Sequence, residues 1–152
     1  RMFLSGYDYT NPFSLEIPVH LPKSRNIIDV YSVKELAEIE NLLSSGRLTK
    51  RDIAICRLLL DTGLRGTDVC SLKLTNIDWE KDVIYIIQDK TGKQLTLPLS
   101  ASYGNAIFDY ILTERPKTES EYVFLRSLAP YSQLKAGAIH PILEKMEALS
   151  GI

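Results

Sequence analysis

The chain has 152 residues, 45% hydrophobic and 24% charged, an ordinary balance for one globular domain with a flanking segment. This composition excludes a disordered chain, a collagen-like repeat and a small disulfide-stapled fold. The net charge of −1 does not by itself favour a nucleic-acid partner, which would need a local basic face. The apolar runs are too short to cross a bilayer, and no secretory signal is evident, so we expect a cytoplasmic protein without a membrane partner.

Cysteine and histidine placement argues against a metal centre. Cys56 and Cys70 each lie within an apolar helical pattern, which predicts buried free thiols. His20 and His140 have no Cys or His at ligand spacing, so no metal site is expected. We also expect no cofactor.

The N-terminal residues differ from the rest in pattern. Residues 1–30 contain three prolines, one of them in the step Asn11-Pro12, and are predicted to be a connecting segment in extended or turn backbone. The folded domain is expected over residues 31–152. Its first helix starts at Ser32, which forms a capping box with Glu35.

A second helix is predicted with Thr49 as N-cap and an end at Gly63. Its buried face is expected to consist of Ile53, Cys56, Leu59 and Leu60. A short third helix is then expected from about Thr67, as its cap, to Lys73.

The hydrophobic period next changes to that of strands. Residues 76–82 indicate a short strand and turn, and residues 83–87 a buried strand. A polar turn over residues 88–94 precedes an alternating strand over residues 95–99, in which Pro98 favours an edge position. Together these segments predict a small antiparallel sheet with one solvated face.

Two helices complete the pattern, one around Ile107 and Tyr110 and one around Ile142 and Met146. Pro141 either kinks the last helix or occupies its first position. The predicted class is α+β, mainly α, with helices around a small antiparallel three-stranded sheet.

The joint between the second and third helices carries Arg65, with Asp68 three residues later. A guanidinium at such a joint can donate two parallel N–H groups to a phosphate, and the amides of the next helix favour a nearby anion. Taken alone, however, Arg65 and Asp68 are more often an ordinary ion pair.

The hairpin tip carries Lys90, Thr91, Gly92 and Lys93. Lysines in a tight turn can reach a ligand that lies over the sheet, either as a proton donor or as a phosphate contact. Taken singly, turn lysines are usually no more than soluble surface residues.

In this order, the features resemble the tyrosine recombinases of the phage integrase family. The resemblance covers roughly residues 11–152 and rests on order and spacing. It is carried by Thr62-Gly63-Leu64-Arg65 with Asp68, the turn Asp78-Trp79, the hairpin Lys90-Thr91-Gly92-Lys93, and Leu97-Pro98-Leu99.

The resemblance implies a role for each matched residue. Arg65 would contact non-bridging oxygens of the scissile phosphate and stabilise the pentavalent transition state. Lys90 would protonate the departing 5′ oxygen of the DNA strand. Asp68 would support the site without touching DNA, and the shorter Asp stands where the family normally has Glu. Lys93 and Thr91 are the expected DNA-binding residues of the hairpin.

Other elements of the family pattern are not matched. Such enzymes need a His-x-x-Arg box, a further His or Trp, and a tyrosine nucleophile that joins the 3′ phosphate. His140 is followed three residues later by Leu143, and none of the eight tyrosines lies late enough to match the nucleophile. The resemblance implies that residues 31–152 are the N-terminal part of a catalytic domain truncated before that box. Residues 1–30 would be a linker following an absent DNA-binding domain.

The expected function is a fragment of a site-specific recombinase or integrase from a prokaryotic cell, phage or mobile element, inactive in isolation. Its parent would break and rejoin double-stranded DNA through a phosphotyrosine, with other recombinase subunits in a synaptic assembly. The alternative is a non-catalytic helical module that binds DNA or protein, in which Arg65 is covered or paired with Asp68. A phosphate-handling enzyme of unrelated fold is disfavoured, because the sequence has no glycine-rich phosphate loop and no carboxylate cluster for a metal.

Overall fold

The computed structural model describes residues 31–88 and 90–152, and the predicted connecting segment, residues 1–30, lies outside this range. The described part contains helices packed on a small sheet, which confirms the predicted class. The elements in chain order are α1 (Val33–Ser44), α2 (Lys50–Thr62), α3 (Gly66–Cys70), β1 (Ile77–Asp78), β2 (Val83–Ile87), β3 (Gln94–Pro98), α4 (Ala101–Thr113) and α5 (Ile139–Ser150). No helix within the described ranges is both long and apolar enough to cross a membrane.

The first two helices begin as their sequences predict. The Ser32 hydroxyl accepts from the Glu35 amide at 3.3 Å, and Glu35 Oε2 accepts from the Ser32 amide at 2.7 Å, which completes the capping box. Thr49 caps α2 by accepting from the Asp52 amide at 3.2 Å. A second cap of α2 is distant in sequence, because Glu114, just after α4, accepts from the amide of Lys50 at 2.7 Å.

The short helix α3 differs from its prediction at both ends. Its N-cap is Arg65 and it begins at Gly66, so Thr67 lies inside the helix and does not cap it. It ends at Cys70 because the following backbone pairs with a distant segment: the Leu72 carbonyl accepts from the Val123 amide at 2.9 Å. The Lys73 amide, which a longer helix would direct to the Val69 carbonyl, donates instead to Asn76 Oδ1 at 3.0 Å, so the helix does not continue to Lys73.

The sheet is antiparallel in the order β1-β2-β3. Ile84 of β2 pairs with Ile77 on one side and Leu97 on the other. The central strand buries Ile84 and Ile86, whereas most of β3 is exposed, consistent with an edge strand that contains a proline.

The core lies between α2 and α4, where Tyr110 stacks on Phe124 with ring centroids 5.8 Å apart. The buried face of α2 differs from the prediction: only Cys56 of the expected four residues is buried, and its neighbours Ala54, Ile55 and Leu58 form the rest. Ile53, Leu59 and Leu60 are half-buried, because α2 contacts α4 on one side and α5 on another. Pro141 is the third residue of α5, in the first turn, where a missing N–H has no intrahelical partner to lose.

Candidate functional site

Arg65 lies at a joint whose backbone is fixed on both sides. Gly63 ends α2 in the left-handed region at φ 64°, a conformation that favours glycine. Arg65 itself is extended (φ −73°, ψ 147°) and precedes α3 directly. On the other side, a Cβ at Gly66 would lie 3.0 Å from Cγ1 of Ile139, so the first residue of α3 sits tightly against the first residue of α5. The packing of these two helix starts positions Arg65.

The Arg65 side chain is exposed and lies at a groove of about 380 Å³ with Thr67, Ala136 and His140 among its lining residues. Within residues 31–88 and 90–152, no hydrogen bond or ion pair joins the Arg65 guanidinium to Asp68. The guanidinium is therefore available to an external anion.

Asp68 faces the interior, although it lies only three residues after Arg65. It is 1% exposed and lines a cavity of about 190 Å³ together with Tyr85, Ile86 and Ile87 of β2. A buried carboxylate on α3 thus faces the strand that leads into the hairpin. This position fits a residue that supports a site from behind.

The hairpin tip is held by its own backbone and side chains. The Gln88 carbonyl accepts from the Gly92 amide at 2.7 Å, and the Gln88 amide donates to the Lys93 carbonyl at 2.9 Å. The Thr91 hydroxyl donates to Gln88 Oε1 at 2.9 Å, so it already serves the turn. Lys90 and Lys93 are exposed, and neither contacts a carboxylate in the described part of the chain. The turn therefore presents two exposed ammonium groups that no carboxylate of residues 31–88 or 90–152 neutralises.

A polar cluster that sequence reasoning missed consists of Arg51, Asp52 and Lys145. Asp52 is 3% exposed and accepts from Arg51 Nε at 3.1 Å and Lys145 Nζ at 3.3 Å. Arg51 also donates to the Leu125 carbonyl at 3.2 Å and to Ser127 Oγ at 2.7 Å. We call these three residues the Asp52 cluster. An acidic residue at the third position of a helix is typical of capping, so local sequence does not indicate the distant partners of Asp52.

The two thiols are buried and free, as predicted. Burial raises the pKa of Cys56 to about 12, with a further increase from the Asp52 charge. Burial alone raises the pKa of Cys70 to about 11. Because the thiolate is the reactive form, neither cysteine is a nucleophile at neutral pH.

The sequence matches the profile of the phage integrase family over residues 30–152. The chain belongs to this family, which confirms the resemblance drawn from Arg65, Asp68 and the hairpin. The individual roles of those residues stay predictions.

Curated relatives carry recombinase names. The chain is 34% identical over 108 residues to the integrase/recombinase y4gC of Sinorhizobium fredii, covering 68% of this chain and 56% of that protein. It is 33% identical over 112 residues to tyrosine recombinase XerA of Pyrococcus furiosus, covering 74% of this chain and 36% of the relative. The chain thus spans little more than half of one relative and about a third of the other.

Solved structures share the fold. The crystal structure of XerA recombinase superposes with a TM-score of 0.67 at 21% identity, covering 84% of this chain and 45% of that one. The lambda integrase catalytic core gives a TM-score of 0.58 at 19% identity, covering 78% of this chain and 71% of that core. A lambda integrase dimer bound to a COC′ core site gives 0.59 at 19% identity, covering 80% of this chain and 42% of that chain. These similarities show that this chain has the same fold as the three structures, a three-stranded sheet with helices around it.

Proposed function

We propose that residues 31–152 supply part of the catalytic domain of a site-specific recombinase or integrase that acts on double-stranded DNA. The reaction is a transesterification: a tyrosine hydroxyl attacks the scissile phosphate, the 5′ oxygen leaves with a proton, and the strand is held through its 3′ phosphate. Its setting is the cytoplasm of a prokaryotic cell, where other recombinase subunits assemble on the same DNA.

The observation that carries this proposal is the exposed Arg65 of a phage integrase family member, held at a packed joint where no carboxylate of the described residues pairs with it. A fixed guanidinium with free N–H groups suits the non-bridging oxygens of a phosphate. Fixed donors act most strongly where charge develops in the transition state. We assign Arg65 to the scissile phosphate on these grounds. The non-catalytic alternative, with Arg65 paired to Asp68 or covered, does not fit the exposed guanidinium.

Lys90 is assigned as the general acid that protonates the departing 5′ oxygen. Its support is its exposed place on the hairpin tip, where it contacts no carboxylate of the described residues. Lys93, on the same tip, is assigned to the DNA backbone. Thr91 contacts the backbone only if its hydroxyl gives up Gln88, so we rank it below Lys93. Asp68 supports the site from the cavity beneath α3.

The test measures covalent protein–DNA adducts. It uses the protein encoded by the complete reading frame in which residues 1–152 occur. The protein is incubated with sheared DNA of the source genome, and detergent-resistant protein–DNA adducts are recovered and sequenced to locate the cleavage site. Arg65→Ala is expected to slow adduct formation about 100- to 1,000-fold, as removal of one transition-state donor does elsewhere. Arg65→Lys keeps the charge but loses the planar two-donor geometry, so its rate of adduct formation is expected to lie between those of the parent and of Arg65→Ala.

Lys90 is tested by its chemistry. On the cleavage site so found, Lys90→Ala is expected to slow adduct formation at least about 100-fold. A substrate with sulfur in place of the 5′ bridging oxygen should restore the rate, because a thiolate leaves without a proton. The matched control is Lys117→Ala, another exposed lysine, which should match the parent on both substrates.

Three results would contradict these assignments. An Arg65→Ala protein that forms adducts at the parent rate refutes the role of Arg65. A Lys90→Ala defect that persists on the sulfur substrate refutes the general-acid role. Binding of double-stranded DNA without any adduct favours the non-catalytic module.

A further inference from the structure

We propose that Lys135 and Thr67 form a second contact to the DNA sugar–phosphate backbone, on the face that carries Arg65. We call Arg65, Thr67 and Lys135 the basic face. This inference rests on the proposed function, since it takes double-stranded DNA as the ligand, and it extends the contact beyond the scissile phosphate.

The geometry joins these residues through two adjoining grooves. The groove of about 380 Å³ that holds Arg65 also has Thr67 and Ala136 in its wall. A second groove of about 230 Å³ is lined by Lys135 and shares both Thr67 and Ala136 with the first. Thr67 lines both grooves and has no cap to serve, because Arg65 is the N-cap of α3.

The charge distribution supports a phosphate ligand. Among the described residues, no Asp or Glu lines either groove, although acidic residues outnumber basic ones in the chain. Lys135 is exposed and pairs with no carboxylate in the described part of the chain. Many other cations are neutralised within the fold: Lys50, Arg51, Arg57, Lys73, Lys81 and Lys145 each pair with an Asp or Glu. The two cations of the basic face therefore form a local positive surface on a near-neutral protein, as phosphate binding requires.

Neighbouring basic groups are less suited to this role. His140 lines the Arg65 groove, but its Nε2 lies 3.2 Å from Glu144 Oε1, so the site beside it is shared with a carboxylate. Arg51, in the groove on another side of α5, is already engaged by Asp52. Unlike His140 and Arg51, Lys135 is not paired with a carboxylate of the described residues, so its ammonium group does not share a phosphate site with one.

The experiment measures binding of the full chain to a fluorescent 30-base-pair duplex of random sequence over a series of salt concentrations. Lys135→Gln removes one charge, and Lys117→Gln removes the same charge outside the face. Each phosphate contact contributes about 0.9 to the slope of log affinity against log salt. Lys135→Gln is therefore expected to reduce that slope by about 0.9 and to weaken binding about eightfold at 0.1 M salt. Lys117→Gln should leave both unchanged.

Thr67→Val and Arg65→Gln complete the set. Thr67→Val removes a neutral donor, so affinity should fall about twofold to fivefold with the slope unchanged, as expected for a lost uncharged hydrogen bond. Circular dichroism and thermal unfolding of each variant must match the parent, so that loss of folding is not read as loss of contact.

The outcomes separate this inference from the proposed function. If Arg65→Gln weakens binding while Lys135→Gln behaves like Lys117→Gln, the second contact is refuted and the proposed function stands. If the parent chain does not bind the duplex even at 50 mM salt, both are contradicted. A slope reduced by Lys135→Gln, and not by Lys117→Gln, supports the second contact.

Discussion

Arg51 and Arg65 stand at opposite ends of α2, and their side chains meet opposite surroundings. Arg51 lies in the Asp52 cluster, where a buried carboxylate, a backbone carbonyl and a hydroxyl accept its N–H groups. Arg65 lies on the basic face, where neither adjoining groove is lined by a carboxylate. Arginine therefore makes intramolecular hydrogen bonds that hold the fold together at one end of the helix. At the other end its guanidinium is exposed to an external ligand.

This contrast shows how a protein with a net charge of −1 would present the phosphate-binding surface proposed above. The carboxylates are distributed unevenly and pair with cations that hold elements together. The cations of the basic face and of the hairpin tip make no ion pair with any carboxylate that the structure describes. Net charge is a poor guide to ligand class when the fold neutralises one part of the surface and not another.

The largest expected effect comes from breaking the Asp52 cluster. Asp52→Ala leaves the mostly buried Arg51 without its carboxylate, and loss of one partner of a buried ion pair costs about 3–5 kcal/mol. The melting temperature should fall by roughly 10 °C for a domain of this size, as measured by thermal and urea unfolding. The control is Asp109→Asn, which breaks the exposed Lys50 pair and should cost less than about 1 kcal/mol. Equal losses of stability in the two variants would contradict the distinction between the buried Arg51 pair and the exposed Lys50 pair.

A medium effect is expected where the joint of Arg65 meets α5. Gly66→Ala places a methyl group 3.0 Å from Ile139 Cγ1, and such overpacking typically costs about 1–3 kcal/mol. Gly137→Ala is the matched control, because a Cβ there meets nothing within 4 Å. Urea unfolding should show the loss in the first variant alone.

A double variant tests the contact between residues 66 and 139 directly. Ile139→Ala alone removes a buried side chain and should cost about 2–5 kcal/mol, but the double variant should lose less than the sum of the two single losses, since the atoms that clash are gone. Losses that simply add in the double variant would show that the two helix starts are not in tight contact.

The smallest effect concerns the thiols, which report on the two regions separately. Cys56 lies near the Asp52 cluster and Cys70 borders the basic face, with pKa values of about 12 and about 11. Alkylation of the native protein, followed by peptide mass spectrometry, should therefore begin at Cys70 about one pH unit earlier. Asp52→Asn should lower the pKa of Cys56 and leave that of Cys70 unchanged.

The same shifts set the alkaline stability. Both thiol pKa values are raised above the ordinary value of 9.0. The contribution of the protonated thiols to the free energy of unfolding is therefore complete below pH 9 and is lost as pH rises toward 11 and 12. At pH 10 each thiol should account for a loss of about 1 kcal/mol. Urea midpoints of the parent and a Cys70→Ala variant at pH 8 and pH 10 measure this loss. Simultaneous alkylation of the two thiols would contradict the assignment to separate surroundings.

The sequence predicted those parts of the fold that are set by near neighbours. The Ser32 capping box, the Thr49 cap, the end of α2 at Gly63 and the hairpin around Gly92 involve residues within a few positions of one another, and all were predicted. The fold class followed from the change of hydrophobic period. Arg65 was located because a helix end and a helix start flank it in sequence.

The parts that were missed depend on distant contacts. Helix α3 ends early because Leu72 pairs with Val123, and α2 buries Ile55 and Leu58 because α4 and α5 contact it on different sides. Lys135 was not considered because nothing in its own segment indicates that Thr67 and Arg65 lie beside it. Local pattern gives no information on such juxtapositions, which only tertiary packing creates.

The cap that Glu114 supplies to α2 has a consequence for how this domain forms. The Lys50 and Arg51 amides at the start of α2 donate to a side chain that follows α4, so this part of the cap forms only when the two helices pack together. The helices also share the Tyr110–Phe124 region of the core. Their formation is therefore one cooperative event, and native-state opening should expose the amides of both helices together. Arg65, at the far end of α2, acquires its fixed position only as part of that unit.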